Sequence, residues 1–251
     1  LMLSRGSLEY AAVQAAVDGD PAPGYAPLLD PVLRPLYAAY GALVRARADR
    51  QPLALDLPER RIVLDDQGKV VSVAFKERLD AHRLIEEFMV LANVAAAEAL
   101  TRRQTPLLFR VHEEPNPDKI DALREVAQAS GLTLAKGQVL RTAHLNRLLK
   151  QAEGTDQDEL INMATLRSMT QAYYSAQNFG HFGLALLNYA HFTSPIRRYS
   201  DLIVHRALIT AHGWGPDPRK DGLSPQDIAV LEETAQQISD TERRSMQAER
   251  D

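Results

Sequence analysis

Apolar residues recur at helical spacing through most of this chain, broken by short proline- and glycine-rich turns. Residues 8–17 read as a helix that stops at Asp18-Gly19-Asp20, before a Pro/Gly-rich loop through Gly24. Asp30-Pro31 has the chemistry of a cap and first turn. Behind it, Val32, Leu33, Leu36, Tyr37, Tyr40, Leu43 and Val44 form one apolar face. The pattern then switches to period two: Arg61-Ile62-Val63-Leu64 and Val70-Val71-Ser72-Val73-Ala74-Phe75 flank the turn-rich Asp65-Asp66-Gln67-Gly68-Lys69, which predicts a hairpin. Asp80 caps a long helix over residues 81–102. Its apolar positions (Leu84, Ile85, Phe88, Met89, Leu91, Ala92, Val94) nearly encircle it, which predicts a central, well-buried element.

Further on, residues 107–112 read as a strand, and Asn116-Pro117 opens a helix that ends at Gly131. Shorter helices are predicted over residues 144–151 and 158–172, and a strand over residues 183–189. Ser224-Pro225 starts a final polar helix running to the end. The Pro/Gly-rich residues 213–222 read as a loop within one domain, since the last helix has no core of its own.

Composition narrows the class without naming a function. The 251 residues are 45% hydrophobic and 25% charged, as in an ordinary soluble protein. The net charge of −4 gives no global basic field, so any anion site is local. The absence of cysteine excludes disulfides and thiolate metal sites. No run approaches the roughly 20 apolar residues of a membrane span, so no membrane association is expected. The first residues, Leu1-Met2-Leu3-Ser4-Arg5, do not read as a secretory signal. Opening on Leu1 and closing inside a charged helix, the chain reads as a piece of something larger.

Against this background one stretch stands out: His191-Phe192-Thr193-Ser194-Pro195-Ile196-Arg197-Arg198-Tyr199-Ser200-Asp201-Leu202-Ile203-Val204-His205-Arg206. Ser194-Pro195 reads as a helix start. On such a helix Arg197, Asp201 and His205 share one row. Backbone N–H groups plus a first-turn arginine suit a phosphate; a solvated helix with an Arg–Asp pair is the competing reading. Arg197 and Arg198 point about 100° apart on a helix, so only one of them faces a given phosphate. Ahead of the arginines come Tyr173, Tyr174, Phe179, His181, Phe182, Tyr189, His191 and Phe192. Aromatics that stack on bases, followed by guanidinium groups, suit single-stranded RNA; packing in the core is the alternative for the same rings.

Other chemistries find no support. His112-Glu113-Glu114 lacks a second histidine for a zinc helix, and Asp65-Asp66 suits a hairpin turn. Asp156, Asp158 and Glu159 read as a helix start. No nucleophile elbow, phosphate loop or clustered magnesium-type carboxylate set is present.

The segment from His191 to Arg206 resembles the most diagnostic stretch of the RNB family of exoribonucleases. Further stretches resemble the family in order and spacing: Leu84-Ile85-Glu86-Glu87-Phe88-Met89-Val90-Leu91-Ala92-Asn93-Val94-Ala95-Ala96, then Phe109-Arg110-Val111-His112-Glu113-Glu114-Pro115, Met169-Thr170-Gln171-Ala172-Tyr173-Tyr174 and Gly180-His181-Phe182-Gly183-Leu184. The resemblance implies an α+β fold, with helices packed around a β-sheet. It implies that residues 1–251 are the C-terminal part of an RNB catalytic domain. The magnesium-binding aspartates and the flanking cold-shock and S1 domains would then lie outside this sequence.

The activity implied is processive 3′–5′ hydrolysis of single-stranded RNA to nucleoside 5′-monophosphates, in a cytoplasmic, monomeric, Mg2+-dependent enzyme. Arg197 would contact the scissile phosphate or transition state. Tyr10 and Glu86 would grip the terminal sugar, and Arg198, Tyr189 and His191 would contribute to RNA binding. The family usually carries an aromatic residue at the position of Leu55, and leucine cannot supply its stacking contact. A degenerate RNA- or protein-binding module without catalysis is the alternative; the Leu55 departure and the acidic net charge point towards it. Under either reading this segment alone is expected to be inactive, for want of carboxylates to hold the metal.

Overall fold

In a computed structural model, residues 6–57, 60–75, 78–137 and 139–249 are described. Residues 1–5, the Pro58-Glu59 dipeptide and the last two residues of the predicted terminal helix lie outside this set. The chain forms two compact units: residues 1–49 with 56–89, and residues 50–55 with 90–251.

The first unit contains α1 (Tyr10–Asp18), α2 (Ala26–Leu28), α3 (Arg34–Arg50), β1 (Arg60–Leu64), β2 (Val70–Phe75) and the start of α4 (Asp80–Arg102). α1 ends where predicted, with Gly19 at φ 111° as its left-handed cap. Asp30-Pro31 does not start a helix. It lies inside a π turn (Leu29–Leu33) joining α2 to α3, where the Arg34 N–H reaches back to the Leu29 carbonyl. Pro31 and Pro35 have no N–H to offer the normal ladder, and the wider turn accommodates them. β1 and β2 pair antiparallel as the predicted hairpin, Ile62 opposite Val73.

α4 runs the predicted length, but it is buried on one side only. Ala81, Leu84, Val90, Ala96, Ala97 and Leu100 are buried, whereas Ile85 and Leu91 are exposed. The buried side also holds polar Glu87 and Asn93, so apolar periodicity alone misjudged it.

The second unit holds β3 (Phe109–Val111), α5 (Pro117–Ala129), α6 (Thr142–Ala152), α7 (Asp158–Ser168), β4 (Tyr173–Ser175), α8 (Tyr199–His212), α9 (Pro218–Asp221), α10 (Pro225–Ala229) and α11 (Leu231–Ala248). The predicted cap of α5 forms: the Asn116 side chain accepts from the Asp118 N–H at 2.8 Å. Ser224 and Asp227 make a reciprocal capping box at α10. The predicted strand at residues 183–189 is instead a 3-10 turn (Phe182–Leu184) followed by irregular chain.

Two apolar clusters build this unit. One gathers the C-terminal half of α4 with β3, β4, α8 and α11; the other lies among α5, α6 and α7. Residues 50–55 are tied to the same unit by Leu53 N–H to Gly183 O (2.8 Å) and by Asn146, whose side chain bonds Pro52 O and Ala54 N–H, each at 2.9 Å. Leu53 and Leu55 pack against the second cluster. The fold is α+β as expected. Among the described residues, its strands form two separate two-stranded sheets rather than one, and no helix is long and apolar enough to cross a membrane.

Candidate functional site

The arginine segment departs from its predicted helix start. Residues 194–198 form a turn in which the Ser194 carbonyl accepts from the N–H groups of Arg197 (3.2 Å) and Arg198 (3.1 Å). Arg198 is extended (φ −125°, ψ 119°), and α8 begins only at Tyr199. Ser194 is therefore not the helix cap, and the row of Arg197, Asp201 and His205 does not exist.

The reason lies in Asp201, whose side chain is fully buried. Its Oδ1 accepts from the Ser194 N–H at 2.7 Å and from Arg198 Nη2 at 2.8 Å. Its Oδ2 accepts from Arg198 Nε at 2.8 Å and from Ser200 Oγ at 3.2 Å. Burial alone would raise the Asp201 pKa; the bonds from Arg198 and Ser194 outweigh it and hold the carboxyl below its usual value. A short i,i+3 contact with Arg198 has replaced the expected i,i+4 contact with Arg197.

The two arginines thus separate. Arg198 is committed to Asp201 through one edge of its guanidinium, Nε and Nη2. Arg197 is exposed and, among the described residues, makes no ion pair or side-chain hydrogen bond. It lines a cleft of about 680 Å³ with Arg198, Tyr199, Gln237, Thr241 and Ser245. Helix α11 walls the cleft and is latched to the sheet. Arg110 on β3 donates to both Glu242 oxygens, at 2.6 and 3.0 Å, and lies 4.6 Å over the Tyr174 ring. Glu242 is therefore neutralised by Arg110 within a cleft lined otherwise by uncharged groups and arginines.

The other residues of this region are tied into the fold. His205 Nε2 meets the Phe192 carbonyl at 2.9 Å while its ring stacks on Phe192 at 4.3 Å. Arg206 donates twice to Gly222 O and pairs with Asp227 at 2.9 Å. This ties the Pro/Gly-rich residues 213–222 to α8. Tyr189 is buried (8% exposed) and accepts from Asn93 Nδ2 at 3.1 Å, while Asn93 Oδ1 accepts from the Phe192 N–H at 2.9 Å. His191 Nδ1 is 2.8 Å from Tyr174 Oη. Burial first, then Arg198 and Arg110, push the His191 pKa down to about 3, so its ring is neutral at pH 7. The His191 ring also packs edge-on against the rings of Tyr174 and Tyr189.

On the first unit, Tyr10 is exposed on one side and stacks on His82 at 4.2 Å and 18°. Glu86 pairs with Arg78 and lies 3.9 Å from Arg47, which also pairs with the buried Glu87. Tyr10 borders a small apolar pocket of about 120 Å³ with Leu33, Tyr37, Leu84 and Ile85. Sequence reasoning passed over Asn93 and misassigned the partner of Asp201. A polar residue amid the apolar run of α4 was the available signal for Asn93. Among the described residues, no three His, Asp or Glu side chains could jointly hold a metal ion. The residues present do not fit the magnesium site that the resemblance implies.

Comparisons with known proteins agree with the motif. The family model described as the RNB domain matches residues 1–212. Ribonuclease R of Aquifex aeolicus is 38% identical over 249 residues, covering 98% of this chain and 34% of that protein. Ribonuclease R of Escherichia coli is 35% identical over 257 residues, covering 100% and 32%. Among solved structures, the apo form of Mycoplasma genitalium RNase R superposes with a TM-score of 0.87 at 28% identity, covering 96% of this chain and 38% of that one. The same enzyme in complex with ribose methylated single-stranded RNA gives 0.84 at 26% identity, with the same coverage. The chain spans about a third of the length of these curated relatives. With a family match over most of its length, on the arrangement of residues just described, the chain belongs to the RNB family.

Proposed function

We propose that this chain is the RNA-gripping part of a 3′–5′ exoribonuclease that hydrolyses single-stranded RNA to nucleoside 5′-monophosphates. The observation that carries the reading is the asymmetry of the two adjacent arginines: Arg198 is neutralised by Asp201, while Arg197 faces an open cleft without an intramolecular partner among the described residues. An uncommitted guanidinium on a rigid turn suits the charge that develops on a phosphoryl group during displacement. Similarity to ribonuclease R, including an enzyme solved with single-stranded RNA, supports RNA as the substrate.

In this reading Glu86 accepts a hydrogen bond from a ribose 2′-OH, which favours RNA over DNA, and Tyr10 packs on the same sugar. Both side chains reach solvent on the first unit. Arg198, through Asp201, holds the turn that carries Arg197, while Tyr189 and His191 pack with Asn93 and Tyr174 and support the chain leading into it. Magnesium is the metal of the proposed reaction, held by carboxylates other than the residues described. The enzyme works as a cytoplasmic monomer.

The test follows RNA decay by the full-length protein on 5′-labelled single-stranded RNA, with and without Mg2+. The proposal expects stepwise shortening from the 3′ end and release of 5′-monophosphates. The 251-residue chain alone should show none. Endonucleolytic products, 3′-monophosphates, or activity of the isolated chain would contradict it.

A further inference from the structure

The two arginines line the same cleft but differ in commitment: Arg198 gives Nε and Nη2 to Asp201, whereas Arg197 makes no ion pair or side-chain hydrogen bond among the described residues. Ser194 is held at both ends of its peptide: its N–H by Asp201 Oδ1 at 2.7 Å, its carbonyl by the N–H groups of Arg197 and Arg198. Arg198 closes the loop by returning its side chain to the same carboxylate. The turn carrying Arg197 is thus pinned at both ends by one side chain, fully buried at the first turn of α8. The Arg197 backbone cannot shift without breaking one of these bonds.

We infer that Asp201 is a positioning residue: its buried carboxylate sequesters Arg198 and pins Ser194, so that Arg197 alone is presented to the phosphodiester. This rests on the reading of Arg197 given above. The physical advantage is preorganisation. A guanidinium held on a rigid turn meets the developing charge without first ordering its backbone. A second free arginine alongside would offer a competing, misaligned contact. Asp201 itself touches no substrate, because none of its side chain is exposed.

The experiment is a double-mutant cycle in the full-length protein, reading kcat and KM on single-stranded RNA. Asp201→Asn keeps the shape but cannot accept from Arg198 at both oxygens. Its kcat should fall by about 100-fold, the scale of a small misplacement, with KM little changed. Arg197→Ala should lower kcat by about 100- to 1000-fold. If Asp201 acts through Arg197, the combined variant is no slower than Arg197→Ala alone. Losses that multiply would overturn the inference while leaving the role of Arg197 intact. An unchanged rate for Arg197→Ala would overturn both.

Should Asp201→Asn fold poorly, the paired change Arg198→Gln with Asp201→Asn removes both charges and leaves no buried ion unpartnered. It should fold like the parent yet remain slow, because neutral hydrogen bonds hold the turn more loosely. Wild-type turnover by that paired variant would refute the positioning role.

Discussion

Arg198 grips Asp201 through Nε and Nη2, each at 2.8 Å, inside the second unit of the fold. The pair explains why α8 starts at Tyr199 rather than at Ser194-Pro195. It also predicts the stability of this region. Asp201→Ala would leave a mostly buried guanidinium and the Ser194 N–H without their acceptor. The expected cost is about 3 kcal/mol, read as a lower urea midpoint for the 251-residue chain. A loss below about 1 kcal/mol, the scale of a surface pair, would show that the pair is not buried in solution.

Histidine protonation sets the acid limit. His181 is held to about 3 by burial, His112 and Arg110; His191 is held to about 3 by burial, Arg198 and Arg110. His112 is also lowered, chiefly by burial. In the unfolded chain these rings titrate near 6.5. The unfolded form therefore binds more protons below that pH. Stability is fully present above about pH 6.5 and is lost as pH falls from there towards 3, through His181 and His191. NMR titration of the ring protons should show both neutral at pH 5. Titration of either near 6.5 would contradict the burial described.

Gly222 marks the close approach between the Pro/Gly-rich segment and α8. A Cβ there would fall on Thr210 Oγ1 and 2.5 Å from the Pro218 carbonyl. It would disturb the 2.7 Å bond from the Leu223 N–H to Thr210 and the Arg206 contacts with Gly222 O. Gly222→Ala should therefore destabilise by about 1–3 kcal/mol, as overpacking does. An unchanged thermal midpoint would mean that this segment is a loose connection after all.

Glu86 gives a test of sugar recognition. Glu86→Gln keeps the length of the side chain and removes its charge, and with it the ion pairs to Arg78 and Arg47. The preference of the full-length protein for RNA over DNA should narrow by about tenfold, the scale of a hydrogen bond to a charged group. Competition between matched RNA and DNA oligonucleotides measures it, and an unaltered ratio would assign the ribose contact elsewhere.

Local chemistry made much of this fold legible. The hairpin, the Asn116 and Ser224 caps and the length of α4 all follow from residues adjacent in sequence. The failures share a different cause. Ser194-Pro195 carries a good local cap signal, but a carboxylate seven residues on takes the Ser194 N–H instead. Asp30-Pro31 reads as a helix start, but the surrounding helical turns continue through it as a π turn. Tyr189 and His191 look like stacking rings in a linear motif. Their surroundings, Asn93 on α4 and Tyr174 on β4, are remote in sequence and turn them inward. The family resemblance identified the important segment. Only the three-dimensional arrangement separated Arg197 from Arg198.

The single-turnover cleavage rate of the Arg197→Ala variant in the full-length protein, measured beside its RNA affinity and thermal midpoint, tests the central claim most directly. The account predicts a rate lower by about 100- to 1000-fold, with affinity and midpoint close to those of the parent, because the Arg197 side chain is exposed and makes no ion pair or side-chain hydrogen bond among the described residues. A rate equal to the parent's would contradict it.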